Sequence, residues 1–149
     1  MKPVPPDVDP SPSLHAHAAA KGEEIRAKYG PGFGWHQLLE VLQDRDCVRY
    51  PTEIVFDAGP LLEGELAHPV MKGNKPEEGF IMYVHPFFAI DNRVVIYLVL
   101  YQLVVVNYGT FASSGDAEIF GANALGISKE TYYLELCQVA DSLAGSKMS

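Results

Sequence analysis

The stretch VVIYLVLYQLVVV, residues 94–106, decides how the rest of this chain is read. Gln102 is its only strongly polar residue. Asp91-Asn92 in front and Asn107-Tyr108-Gly109 behind carry the chemistry of a helix start and a helix stop. The valines also suit a long buried strand, because β-branched residues have only middling helix propensity. The flanks favour a helix over about 92–108: Asp91 or Asn92 caps its first turn, and Gly109 takes the left-handed position after its last. A helix that is apolar all round has to be enclosed, so this one is expected to be the post around which a domain packs. Its thirteen residues fall short of the roughly twenty that a bilayer span requires. Extension to Ala112 admits Asn107, Gly109 and Thr110, and Arg93 is a lone cation at the front end, so no membrane span is expected.

Downstream, Ser113 or Ser114 caps a helix running to Leu125 and stopped by Gly126. Asp116 and Glu118 suit the positive end of its dipole, and Ala117, Gly121 and Ala124 give it a small-residue face. Ser128 opens a last helix to about Leu143, with Tyr133, Leu136, Cys137, Ala140 and Leu143 as its core stripe. Upstream, residues 48–88 change to strand chemistry. Val48, Tyr50, Ile54 and Phe56 suit one or two short strands broken at Pro51, residues 65–70 a strand placed at an edge by Pro69, and residues 80–84 the best strand of the chain. Each link between them is too short for a helical crossover, which predicts an antiparallel meander.

Before the strands, Trp35, Leu38, Leu39 and Leu42 mark a helix over 35–44 with i, i+3, i+4, i+7 spacing. A helix over 14–29, capped by Ser13 and weakened by Gly22, has only Leu14, Ala18 and Ile25 as its apolar face and is expected to be peripheral. Residues 1–13 hold five prolines and read as a disordered tail. The expectation is an α+β protein with one domain over 14–146, a small three-stranded antiparallel sheet packed by about five helices around a buried apolar one.

The net charge of -8, with eleven Lys and Arg forming no dense stripe, argues against nucleic-acid binding. Cys47 and Cys137 have no metal-type spacing, and Cys137, among apolar helix positions, reads as a small core residue. The opening Met-Lys-Pro-Val-Pro-Pro is unlike a secretory leader, so a cytoplasmic location is expected.

Chemistry is sparse. The motifs Ala67-His68-Pro69 and Val84-His85-Pro86 both end strand-like segments. Two imidazoles with a carboxylate from Glu65 or Asp91 would suit zinc or iron with open positions for water or substrate. His15 and His17 point apart on a helix. Residues 102–109 have the frame of the zinc-peptidase helix HExxHxxG, but Gln102, Leu103 and Val106 replace every group that would ligate or act as a base. No nucleophile elbow or phosphate-binding loop occurs. On the central helix, Tyr97 and Tyr101 lie along one side close to Gln102, and a polar group there must be satisfied by protein, water or ligand. These three are the candidate ligand-binding residues. No motif assigns a function. The expected role is a small acidic, non-catalytic binding or interaction domain without a cofactor, its surplus apolar surface covered by a protein partner or by a second copy in a homodimer. The alternative is a metal-dependent enzyme centred on His68 and His85.

Overall fold

The computed structural model describes residues 11–148, so the Pro-rich tail lies, as far as residue 10, outside the described residues. In chain order the elements are α1 (Ser11–Tyr29), α2 (Trp35–Gln43), β1 (Thr52–Phe56), β2 (Ala67–Met71), β3 (Phe80–Val84), α3 (Asn92–Tyr108), α4 (Ser114–Leu125) and α5 (Lys129–Met148). The protein is α+β.

The valine-rich stretch is α3. Asp91 accepts hydrogen bonds from the backbone N–H groups of Arg93 (3.1 Å) and Val94 (3.3 Å), and Gly109 ends the helix at φ 73°. Val95 to Leu100, Leu103, Val104 and Val106 are buried. Strands β2 and β3 and helices α2, α4 and α5 all pack against α3, which puts it at the centre of the fold. The segment Asn92–Phe111 is long and apolar enough to cross a membrane, but 56% of its most apolar window is buried within the protein, consistent with the core helix of a soluble domain.

The sheet corrects the expected antiparallel meander. Its order is β1-β3-β2, with β1 parallel to β3 and β2 antiparallel to it. Counting each link separately hid the crossover: β1 and β3 are joined by residues 57–79, which contain β2 and leave ample chain to bring two strands parallel. The most apolar strand thereby takes the centre. Phe80, Met82 and Val84 of β3 are buried on the inner face, with Ala67 of β2 and Thr52 of β1 beside them. Pro69 sits in an edge strand, where its missing N–H costs no ladder bond.

Helix α1 departs most from expectation. It starts at Ser11 and packs intimately along α4. His15 Nδ1 lies 2.8 Å from Asp116 Oδ1, Asn123 Nδ2 donates to the Ala19 carbonyl (3.0 Å), and Arg26 Nη1 donates to the Leu125 carbonyl (2.9 Å). The paired numbers rise together, so the two helices run in the same direction. Gly22 makes the closeness possible: a Cβ there would stand 2.5 Å from the Phe120 carbonyl oxygen and 2.9 Å from Asn123 Cβ. Its cost in helix propensity is offset by a backbone approach that no other residue allows. At the far end, Asp44 accepts from Lys28 Nζ, from the Tyr29 hydroxyl (2.6 Å) and from the Asp46 N–H (2.9 Å), tying α1 to the end of α2. The bonds from Lys28 and then Tyr29 hold its carboxyl well below the usual range.

The side-chain stripes of two helices also shift. In α2 the buried residues are Leu38, Val41 and Leu42, and Leu39 is exposed. In α5 the fully buried residue is Tyr132 instead of its neighbour Tyr133, because Tyr132 fits against Gly121, where a Cβ would meet the ring at 2.4 Å. The Tyr132 hydroxyl donates to the Tyr97 carbonyl (2.6 Å), and the two rings stack at 5.3 Å.

Candidate functional site

Because only Tyr132 and Leu143 of α5 are buried among its described side chains, that helix closes over α3 incompletely. A cleft of about 320 Å³ remains between α3, α4, α5 and the entry to β2. Each helix contributes one face at i, i+3 or i+4 spacing: Leu98, Tyr101 and Gln102 from α3, Ser114 and Glu118 from α4, and Tyr133, Leu136, Cys137 and Ala140 from α5. Glu65, Leu66 and Ala67 complete it from the sheet side.

Gln102 therefore faces a cleft. Among the described residues no tyrosine hydroxyl, and no other group, hydrogen-bonds its side-chain amide. Burial raises the pKa of the Tyr101 phenol, with the charge of Glu118 and the neighbouring Tyr133 adding to it. Tyr133 is likewise raised, first by its hydrogen bond with Cys137. Both phenols stay protonated at neutral pH and can donate a hydrogen bond.

Of the three candidate ligand residues, Tyr101 and Gln102 come together here and Tyr97 does not line the cleft. Its ring is stacked on Tyr132, with the Arg93 guanidinium 5.4 Å from its centroid, and Arg93 in turn pairs with Glu135 at 3.1 Å. Burial raises the Tyr97 phenol as well. Residue spacing could not separate Tyr97 from Tyr101, since helical neighbours on one side diverge once a second helix packs between them. Sequence reasoning missed Glu118, Tyr133, Ser114 and the cleft-facing role of Cys137. The available signal was the i, i+4 pairing of Ser114 with Glu118 and of Tyr133 with Cys137.

Of the candidate metal residues only Glu65 lines the cleft; His68 and His85 lie on the sheet and Asp91 at the start of α3. His68 is opposite Tyr83, and the N–H of His85 bonds to the Leu66 carbonyl (2.9 Å), so register puts both histidines on the outer face as diagonal neighbours. One nitrogen of each ring is engaged locally: His68 Nδ1 is 3.5 Å from Glu65 Oε2, and His85 Nδ1 accepts from the Phe87 N–H (3.1 Å). Asp91 caps α3. His15 and His17 turn to separate partners, Asp116 and the Tyr108 hydroxyl (2.7 Å). Among the described residues no group of three or more His, Cys, Asp or Glu side chains is placed to hold a metal ion. Both cysteines are free. Cys47 is buried, and burial, then the nearby Asp44, pushes its thiol up to about 11.

No known protein family, curated protein or solved structure matches this chain.

Proposed function

We propose, from the chain's own residues, that this is a non-catalytic binding domain whose ligand, a small molecule, occupies the cleft beside α3. Gln102 carries the reading: a polar side chain on an otherwise apolar central helix, at the wall of a cleft, with no protein partner among the described residues. The side chain is half-buried and its amide opens onto the cleft, where water or a ligand can hydrogen-bond it. The cleft's volume, about 320 Å³, falls within the usual range for small-molecule sites, roughly 300–1,000 Å³. Phenols held protonated suit hydrogen bonding to a ligand better than proton abstraction at neutral pH. The free thiols fit a reducing cytoplasm, which we propose as its location.

The test is a thermal-shift screen of small molecules against the protein and its Ala140→Phe variant, which fills the cleft from its exposed rim. A ligand of the folded state raises Tm by mass action. Compounds that do so should lose the effect in the variant. A screen whose stabilising compounds act equally on both proteins, or which yields none, overturns the reading.

A second reading, self-association, rests on the outer sheet face. Its cross-strand rows are Val55-Tyr83-His68 and Glu53-Ile81-Val70, with Val55 36% and Val70 38% exposed. An apolar face of this kind fits a second copy laid sheet to sheet. Light scattering should give twice the chain mass, falling to a single mass in Ile81→Lys; a monomer at all concentrations removes this reading.

A further inference from the structure

We propose that the cleft is selective for an amphipathic organic amine, bound as its ammonium ion with its hydrocarbon body inside; this rests on the small-molecule reading above. The ionic groups lining the cleft are all of one sign. Glu65 and Glu118 contribute carboxylates, and among the described residues no Lys, Arg or His side chain lines it. The neighbouring clefts differ: Arg93 lines the one on the other side of α5, and Lys21, Arg45 and Arg49 line the one beside Tyr108.

Glu118 is the sharper observation. Glu65 is already engaged by His68 and by the Leu62 N–H (3.0 Å). Glu118 is half-buried and has no ion-pair or hydrogen-bond partner among the described residues. Its charge reaches across the cleft, since it raises the phenols of both Tyr101 and Tyr133. Half-buried at the cleft wall and without a cation, this carboxylate is open to an ammonium ion through a charge-assisted hydrogen bond. The faces of Tyr101 and Tyr133 attract the same cation through their ring quadrupoles. The Gln102 amide oxygen and Ser114 hydroxyl are acceptors for its remaining N–H groups. Leu66, Leu98, Leu136 and Ala140 offer the apolar walls that an alkyl or aryl body requires. The net charge of -8 raises the local concentration of cations and lowers that of anions.

Three probes of matched shape test this: 2-phenylethylamine, 2-phenylethanol and 3-phenylpropanoate, titrated calorimetrically into the full-length protein. The amine should bind on the order of tenfold more tightly than the alcohol, as one charge-assisted hydrogen bond requires, and the acid should not bind. Glu118→Gln should weaken the amine by about tenfold and the alcohol by clearly less, with an unaltered melting curve as the control for folding. Tyr133→Leu, at a half-exposed position, should weaken the amine severalfold and the alcohol less. Alcohol or acid binding as tightly as the amine, an amine indifferent to Glu118→Gln, or no binding by any probe overturns the amine assignment. Failure of the cleft as a binding site is read separately, from stabilising compounds that ignore Ala140→Phe.

Discussion

The seam between α1 and α4 and the cleft between α3, α4 and α5 share one helix and differ in what faces it. At the seam α4 meets Gly22, and with no side chain in the way the helix backbones close until the Phe120 carbonyl is within 2.5 Å of where a Cβ would stand. At the cleft α4 presents Ser114 and Glu118, and the facing helices present Tyr101 and Tyr133, whose bulk and polarity hold the elements apart. Small residues therefore seal one side of α4 and tyrosines prop open the other. The same helix is structural on the first side and accessible on the second.

The contrast can be broken most forcefully at Tyr132, which pins α5 down where the cleft begins. Tyr132→Ala empties a fully buried ring site and removes the hydrogen bond to the Tyr97 carbonyl, so denaturant unfolding should show a loss of about 3–5 kcal/mol. A loss under 1 kcal/mol would mean that α5 is not anchored there.

Next in size is Gly22→Ala. Propensity alone says that this change strengthens α1 by roughly 1 kcal/mol. Contact with the Phe120 carbonyl and Asn123 says that it forces the seam apart, for a net loss of about 1–3 kcal/mol. The sign of the measured change decides between a docked and a peripheral α1.

Asp44 sharpens the comparison through pH. Its folded pKa is depressed, so its contribution is fully present above the ordinary carboxyl value of 3.8 and is lost as pH falls below it toward the folded value. Asp44→Asn should cost on the order of 1–2 kcal/mol at pH 7, limited by solvent screening at the half-exposed Lys28, and progressively less from pH 4 down to pH 2. Denaturant midpoints measured across pH 2–7 would show the variant and the parent converging in acid; parallel curves would remove Asp44 as the clasp between α1 and α2.

The smallest effect belongs to the cleft. Ala140→Phe adds a ring where space already exists, at an exposed position, and should change stability by less than about 0.5 kcal/mol. A drop comparable with that of Gly22→Ala would mean that the cleft is as tightly closed as the seam.

Much of this was legible one helix at a time. The Asp91 cap, the Gly109 stop, the Ser113-Asp116 capping box and the left-handed Gly126 at φ 71° are local chemistry, and each sits where the residues place it. Gln102 and Tyr101 could be singled out because a polar residue in an apolar helix needs a partner. Glu118 could not, since an acid in a helix's first turns already has an explanation in the dipole. Tyr132 and Tyr133 are chemically identical, and only the glycine of another helix chooses which one is buried.

The amino-acid order by itself therefore determined where α3 and α4 begin and end and that residues 94–106 must be enclosed, because capping and burial of a continuous apolar surface depend on neighbours in the chain. It misplaced the start of α1 and the end of α5, which run from Ser11 and to Met148. The strand order, the docking of α1 on α4 and the union of Gln102, Glu118 and Tyr133 around one space were decided only in three dimensions. Each depends on which distant backbone approaches, and a glycine that weakens its own helix can be the reason that two helices meet.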